Sequence, residues 1–160
     1  MIPLAELTAR HAQDGQVAAI LIRPERLAPP ERVTEAWLAE AGLQGDHARR
    51  GKRALTLIQA EHLPVVAALS GQADVAPEVL RRNLVISGIN LGALRGQRVR
   101  IGPEAEVEIT GPCAPCSRME TALGHGGYTA LRGGHGGWCA RVIAPGPIRH
   151  GDSVAPTPGR

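Results

Sequence analysis

The most chemically suggestive segment of this 160-residue sequence is Gly-Pro-Cys-Ala-Pro-Cys-Ser-Arg-Met-Glu at positions 111–120. It contains Cys113 and Cys116 in a C-x-x-C arrangement, followed directly by Ser117 and Arg118. A cysteine thiolate is a strong nucleophile and a good ligand for soft metals. The same spacing is also found in pairs of small buried side chains that only pack. Any chemistry of this chain is therefore expected to involve the thiol of Cys116.

Two other polar segments contain groups that bind anions or heterocycles. Arg81 and Arg82 precede the apolar run 84–87, and guanidinium groups bind phosphate or carboxylate bidentately. Asp46 and His47 lie in a Gly-rich charged loop, where Asp46 can accept hydrogen bonds from the N–H groups of a heterocycle. The alternatives are a solvated helix end for the arginine pair and an Asx-turn with a surface histidine for the loop.

The segment 124–137 contains seven glycines. Such a segment either brings backbone N–H groups close to a bound molecule or forms a flexible surface loop. It also brings a zinc alternative, because Cys113, Cys116, His135 and Cys139 have passable spacing for a structural site. A chain of this length can bury a core without a metal, which disfavours zinc.

The composition excludes several classes of partner. Lys52 is the only lysine among 18 basic residues, the net charge is only +3, and the aromatic residues are Trp37, Tyr128 and Trp138. Without a dense arginine stripe interleaved with aromatics, we expect no nucleic acid partner. We expect no membrane partner either, since no apolar run is long enough to span a bilayer. Three cysteines and an N-terminus unlike a signal peptide indicate reduced thiols and a cytoplasmic location.

The elements that must position these residues are short strands separated by frequent turns, because the chain has 20 Gly and 13 Pro. Apolar runs predict strands, helical spacing predicts short helices, and 33–41 fits either a strand or a helix. The fold class is mainly β, an open or closed barrel with a few short helices, and residues 1–16 form an N-terminal arm before a single domain at 17–156. The predicted strands are 17–22, 55–59, 84–87, 98–101, 107–110, 138–143 and 153–155, and the predicted helices are 60–69 and 77–82.

Taken in order, these segments resemble the MOSC family, the domain named for the C-terminal part of molybdenum cofactor sulfurases. The resemblance covers about residues 17–155. The matching segments are 42–47, 55–58, 80–84, 87–91, 113–119, 133–137 and 151–152.

The resemblance implies a MOSC-type β-barrel of mostly antiparallel strands that binds the molybdenum cofactor (molybdopterin), a pterin carrying a dithiolene and a phosphate. The family cysteine that ligates molybdenum or carries sulfur maps to Cys116. A soft thiolate suits such a metal centre. The side chains expected to clamp the phosphate or contact the pterin are Asp46, His47, Arg81, Arg82, Asn83, Ser117 and Arg118.

Relatives that act as enzymes reduce N-hydroxylated compounds, so the resemblance implies an oxidoreductase acting on a small-molecule substrate. The sequence has no flavin or iron–sulfur motif, and electrons are therefore expected from an external donor protein. The chain corresponds to the MOSC core alone, so a homo-oligomer or a partner is expected to complete the cleft. Two alternatives stay open: a sulfur carrier with a persulfide on Cys116, and a zinc-stapled binding module.

Overall fold

The computed structural model describes residues 1–158 and consists mainly of short strands connected by turns. The helices are α1 (Leu4–Thr8), α2 (His62–Ser70), α3 (Pro77–Leu80), α4 (Ser117–Leu123) and α5 (Gly127–Ala130), with one 3₁₀ turn at Leu91–Leu94. The strands are β1 (Gly15–Ile22), β2 (Glu31–Val33), β3 (Glu35–Ala39), β4 (Gly42–Leu43), β5 (Leu55–Gln59), β6 (Leu84–Ser87), β7 (Arg98–Ile101), β8 (Ala105–Pro112), β9 (Trp138–Ala144), β10 (Gly146–Arg149) and β11 (Ser153–Pro156).

Seven of these strands close into a barrel, in the order β1, β6, β5, β9, β8, β7, β11. The barrel closes where β11 pairs with β1, with Gly15 opposite Val154. Only β5 and β6 run parallel, and every other neighbouring pair in the barrel is antiparallel. The strand β2 extends the sheet beyond β1, while β3, β4 and β10 form a separate three-stranded sheet. The predicted barrel of mostly antiparallel strands is therefore confirmed.

Aliphatic side chains fill the barrel, as the absence of Phe from the sequence requires. One face of each strand contributes to this interior because side chains alternate along a strand. The fully buried residues at its centre include Leu55, Leu57, Leu84, Ile86, Val99, Ile101, Val107, Ile109 and Ala140.

The opposite faces of β1, β5 and β6 are buried as well, because the short helices cover them. Ile58 and Val85 point away from the barrel interior and pack in a second cluster with residues of α2, α3 and α4, such as Val66, Leu80 and Met119. All five residues of β5 are therefore buried, which is the pattern of a strand covered on both sides. The helices leave one end of the barrel uncovered.

Most elements lie where the hydrophobic pattern predicts them, with several differences. The ambiguous segment 33–41 contains the strand β3, because pairing with β10 outweighs the helix propensity of its Ala, Glu and Leu residues. The strand β10 was not predicted, and the Gly-rich segment contains the short helix α5. The strand β1 begins at Gly15, inside the predicted N-terminal arm.

Within residues 1–158, no helix has the length and apolarity needed to cross a membrane.

Gly137 is the point where the Gly-rich segment joins β9, and it permits a close approach of two backbones. Its φ is +98°, and a Cβ there would lie 2.3 Å from the carbonyl oxygen of Leu57. Gly133 has a similar φ of +78° but would meet nothing within 4 Å. Comparing substitutions at the two positions separates the free-energy cost of the steric clash from the cost of a positive φ.

We expect Gly133→Ala to lower the free energy of unfolding by about 1 kcal/mol, the cost of left-handed backbone for a residue with a Cβ. Gly137→Ala adds a backbone clash and should lower it by about 3 kcal/mol or more. Urea denaturation of both variants measures the difference. Equal losses for the two variants would contradict the packing described for Gly137.

Candidate functional site

The open end of the barrel gathers residues from segments that are far apart in the sequence. Arg23 follows β1, Asn83 precedes β6, and Thr56 is the second residue of β5. These ends meet because β1 runs antiparallel to β6, and β6 runs parallel to β5. Cys139, opposite Thr56 in β9, and Cys113, just beyond β8, complete this end of the barrel.

A buried ion pair between Asp46 and Arg23 forms the base of the site. The Asp46 carboxylate has no exposed surface, and it accepts hydrogen bonds from the Arg23 amide (2.7 Å) and from Arg23 Nη2 (2.9 Å). It also accepts from the Ala48 amide at 3.0 Å and from Asn83 Nδ2 at 3.0 Å. Every lone pair of this carboxylate is thereby used within the protein.

Asn83 extends this network into the sheet and is itself fully buried. Its Nδ2 also donates to the carbonyl oxygen of Leu21 at 3.1 Å, while its Oδ1 accepts from the Thr56 amide at 3.1 Å. The sequence predicted that Asp46 and Asn83 contact a ligand. In the structure both side chains lie behind the wall of the site and hold Arg23 in place instead, because their hydrogen-bonding groups are already occupied.

Burial by itself would raise the pKa of the Asp46 carboxyl. The hydrogen bonds and positive charge of Arg23, together with the Ala48 amide, outweigh burial and lower the pKa below its ordinary value. The charged form of Asp46 therefore stabilises the folded chain at neutral pH.

Arg81 and Arg118 anchor the loop between β1 and β2. Arg81, the one residue other than Gly with positive φ (59°) among residues 1–158, donates to the carbonyl oxygens of Ala28, Glu25 and Arg26. Arg118 Nη1 donates to the carbonyl oxygen of Arg26 at 3.3 Å. The sequence predicted both as phosphate ligands; in the structure Arg81 donates three hydrogen bonds to this loop and Arg118 donates one.

Above the ion pair lies a pocket of about 480 Å³ whose walls are strongly basic. His47, at its rim, contacts the Arg23 carbonyl oxygen through Nδ1 at 2.9 Å, so Nδ1 carries a proton. Arg82 Nε donates to the Gly136 carbonyl oxygen at 2.7 Å, which ties the Gly-rich segment to the pocket. The lining residues, hereafter the arginine pocket, are Arg23, Arg26, His47, Ala48, Arg49, Arg53, Thr56, Arg82, Cys113, Ala114 and Cys139.

The floor of the arginine pocket holds two thiols, with Sγ of Cys113 3.2 Å from Sγ of Cys139. The hydrogen bond from Cys113 lowers the pKa of the Cys139 thiol to about 7, against the effect of burial, and the charges of Arg53, Arg82 and Arg23 add to the lowering. The same hydrogen bond and burial raise the pKa of the Cys113 thiol. The charges of Arg53 and Arg82 favour the thiolate form of the pair.

Cys116 lies in a side chamber of about 110 Å³ that shares Arg23, Arg26, His47 and Arg82 with the arginine pocket. Cys116 is exposed and occupies the N-cap position of α4, where its side chain makes no capping hydrogen bond. Arg81 and Arg118 also line this chamber, whereas Ser117 is exposed at the first position of α4, outside the lining of both cavities. Four of the residues predicted from the sequence thus line one chamber: Cys116, His47, Arg82 and Arg118.

The sequence did not single out Arg23, Arg26, Arg49, Arg53, Cys113 and Cys139 as a common set. Cys113 and Cys139 carried a signal only through the C-x-x-C motif and the zinc alternative. The loop 42–53 carried one as a Gly-rich charged segment that includes two of these arginines. The zinc alternative gains no support, because residues 1–158 contain no group of three or more His, Cys, Asp or Glu side chains placed to hold a metal. The thiols of Cys113 and Cys139 are in contact, whereas Cys116 is exposed and takes no part in that contact.

A larger cavity of about 770 Å³ lies beside β7 and is lined mostly by apolar and small side chains such as Ala9, Pro156 and Thr157. It contains no thiol and no cluster of like charges among its lining residues. We take the arginine pocket as the candidate site because ionisable and nucleophilic groups converge there.

Comparison with known proteins places this arrangement in a family. A family model described as the MOSC domain matches residues 42–155. A comparison with curated proteins found no matching sequence.

Solved structures share the fold. The YuaD protein from Bacillus subtilis superimposes with a TM-score of 0.76 at 19% identity, covering 89% of this chain and 94% of that one. YiiM from Escherichia coli gives 0.71 at 24% identity over 91% of this chain and 71% of that one. YiiM from Geobacillus stearothermophilus gives 0.73 at 17% identity over 89% and 75%.

The lowered pKa of Asp46 predicts a specific dependence of stability on pH. We expect Asp46→Asn to lower the free energy of unfolding at neutral pH by about 3 kcal/mol, because it leaves Arg23 without its buried partner. Since the folded pKa lies below the unfolded value, the stabilisation is complete above about pH 5 and is lost as pH falls through the folded pKa. The native chain should therefore lose more stability than Asp46→Asn between about pH 5 and pH 3.

Chemical denaturation across this pH range measures both effects. Asp74→Asn, at an exposed position between α2 and α3, is the matched control and should keep the native pH profile. An Asp46→Asn profile parallel to that of the native chain would mean that Asp46 is not the group responsible.

Proposed function

This chain belongs to the MOSC domain family, as its ordered sequence segments predicted, and from that premise we propose that the arginine pocket binds the molybdenum cofactor. The observation that carries the proposal is the convergence of five arginines (Arg23, Arg26, Arg49, Arg53 and Arg82) on one cavity. So many like charges are costly to hold together unless an anion binds between them.

The dimensions and chemistry of the pocket suit a phosphorylated heterocycle. Its volume of about 480 Å³ falls within the range of small-molecule sites. Guanidinium groups hold phosphate with paired, charge-assisted hydrogen bonds, and Arg82 has two Nη groups free of the bond that its Nε makes to Gly136. We assign the phosphate to Arg82, Arg49 and Arg53.

Arg23 has a different role, because Asp46 and Asn83 fix its guanidinium before any ligand arrives. A prepositioned side chain loses little conformational freedom on binding, and this lowers the entropic cost of the complex. His47 has its Nδ1 proton engaged with the Arg23 carbonyl oxygen, so its Nε2 can accept a hydrogen bond from a heterocyclic N–H group.

Cys116 is the residue that we propose as the metal ligand. Its thiol is exposed and lies in the chamber that opens onto the arginine pocket, so a bound group can reach it without rearrangement of the fold. Thiolate sulfur is a suitable ligand for a soft metal centre. When bound, the cofactor would supply two-electron redox chemistry, and the protein's own residues hold and orient it.

The reaction that we propose is the reduction of an N–O bond in a small N-hydroxylated compound. An external donor protein supplies the electrons. A second candidate is a sulfur carrier, which the exposure of the Cys116 thiol favours because a partner protein could reach it directly. A labile extra sulfur on Cys116 in the intact mass of the native protein would support the carrier in place of the reductase.

Substitution of the cysteines tests the assignment of the metal ligand. In protein produced by a host that makes the cofactor, we expect near-equimolar molybdenum and phosphorus by elemental analysis. Cys116→Ser should lose most of the molybdenum, since a serine hydroxyl is a poor ligand for a soft metal. Cys113→Ser should retain most of it, because the Cys113 thiol is buried against Cys139. Equal losses from the two variants would remove Cys116 from its proposed role.

Substitution of an arginine tests the phosphate assignment separately. Arg82→Gln should weaken retention of molybdenum and phosphorus about tenfold or more during dialysis, the effect of losing one charge-assisted hydrogen bond. Arg100→Gln removes an equal charge from an exposed position on β7 and should have no effect. If both variants retain the cofactor equally, net charge or another group holds it, and the assignment to Arg82 fails.

A further inference from the structure

The thiols of Cys113 and Cys139 have no role in the proposed function, yet the fold brings them into contact. Their Sγ atoms lie 3.2 Å apart, and each residue is only 6% exposed. A disulfide bond has a length of about 2.05 Å, so the two sulfurs need to move together by only about 1 Å to form one.

The backbone on both sides holds the two residues in this arrangement. Gly111 lies opposite Cys139 in the β8–β9 ladder, and Cys113 follows two residues later, which puts both side chains on the same face. The Cys113 amide donates to the Gly137 carbonyl oxygen at 2.9 Å. The Cys139 carbonyl oxygen accepts from Thr110 Oγ1 at 3.1 Å. The position of Cys139 is therefore set by β9, and that of Cys113, directly after β8, is set by its amide hydrogen bond to Gly137.

The surroundings differ from those of cysteines that only pack in a core. Structural cysteines lie among aliphatic side chains and are inert. Cys113 and Cys139 form the floor of the arginine pocket, which is open enough for a small solute to reach them. Guanidinium groups of Arg53 and Arg82 favour the thiolate on Cys139, and the thiolate is the reactive form of cysteine.

We propose that Cys113 and Cys139 are a redox-active pair that forms a reversible disulfide when a hydroperoxide enters the arginine pocket. A hydroperoxide is the fitting oxidant because it is small, whereas the low exposure of both sulfurs hinders attack by a bulky disulfide. Cys139 is the sulfur that reacts first, and Cys113 is the sulfur that resolves the product.

The chemistry balances with hydrogen peroxide as the oxidant. The Cys139 thiolate attacks one peroxide oxygen, an S–O bond forms, the O–O bond breaks, and the departing hydroxide takes a proton to become water. The sulfur of Cys113 then attacks the Cys139 sulfur, the S–S bond forms, and the S–O bond breaks. The leaving hydroxide takes the Cys113 proton as a second water, so two thiols are oxidised and one peroxide is reduced.

Closure of the disulfide changes the charge of the pocket floor. When Cys139 is ionised, the reduced pair carries a negative charge beside Arg53, Arg82 and Arg23, whereas the disulfide is uncharged. The oxidised pocket therefore has less negative charge to offset its arginines. The state of the pair sets the electrostatic potential that an incoming anion meets.

The proposal is tested on the purified full chain, and it does not require bound cofactor. The reduced protein is treated with hydrogen peroxide, denatured in an excess of an alkylating agent, digested and analysed by mass spectrometry. We expect an intact mass lower by two hydrogens, a cross-linked peptide joining Cys113 to Cys139, and an alkylated Cys116. Dithiothreitol added before alkylation should restore three alkylated cysteines.

Two variants sharpen the result. Cys116→Ser should form the same cross-link, because Cys116 takes no part in it. Cys113→Ser should form none, and Cys139 should proceed to the sulfenic and sulfinic acids instead. A link from Cys116 to either other cysteine, or oxidation confined to Cys116, would overturn the proposal, as would complete alkylation of Cys113 and Cys139 after peroxide. The wild-type peptide map alone decides the question if Cys113→Ser does not fold.

Discussion

The ion pair between the Asp46 carboxylate and Arg23 is the interaction on which the site of this protein depends. A carboxylate with no exposed surface is tolerated only when its partners satisfy it completely, and Asp46 meets this condition through Arg23, Ala48 and Asn83. The ladder pairing of β1, β5 and β6 brings these partners together. The polar network is therefore a consequence of how the barrel closes, and it fixes the first arginine of the pocket.

The high density of positive charge in the arginine pocket, above the ion pair of Asp46 and Arg23, constrains the rest of the site. Five arginines share one cavity, and the buried Asp46 carboxylate offsets the charge of one of them, Arg23. Where an arginine is not offset by a charge, carbonyl oxygens take its hydrogen bonds, as with Arg81 in the loop after β1. The remaining arginines of the pocket give it a positive potential that favours an anion.

Much of the fold could be predicted from the local pattern of apolar residues in the sequence. The apolar runs predicted β1, β5, β6 and β9, since a strand buried on both faces has an almost continuous apolar sequence. The ordered motifs identified the MOSC family and with it the barrel. The strand β3 was ambiguous because its Ala, Glu and Leu residues favour helix and only pairing with β10 decides its state. The strand β10 escaped prediction because Gly, Pro and Arg occupy three of its four positions.

The sequence by itself determined the kind of chemistry available here: a chain with three cysteines, abundant arginine and few aromatics, in which the motifs predicted Cys116, His47 and Arg82 as candidate site residues. Tertiary structure alone decided which groups face the pocket. In the tertiary structure, Asp46 and Asn83 hold Arg23 in place. Cys113 contacts Cys139, which is far away in the sequence, and not the nearby Cys116. The physical reason is that strand register sets which side chains meet when they are 26 residues or more apart in the sequence. The spacing of residues along the chain does not predict such contacts.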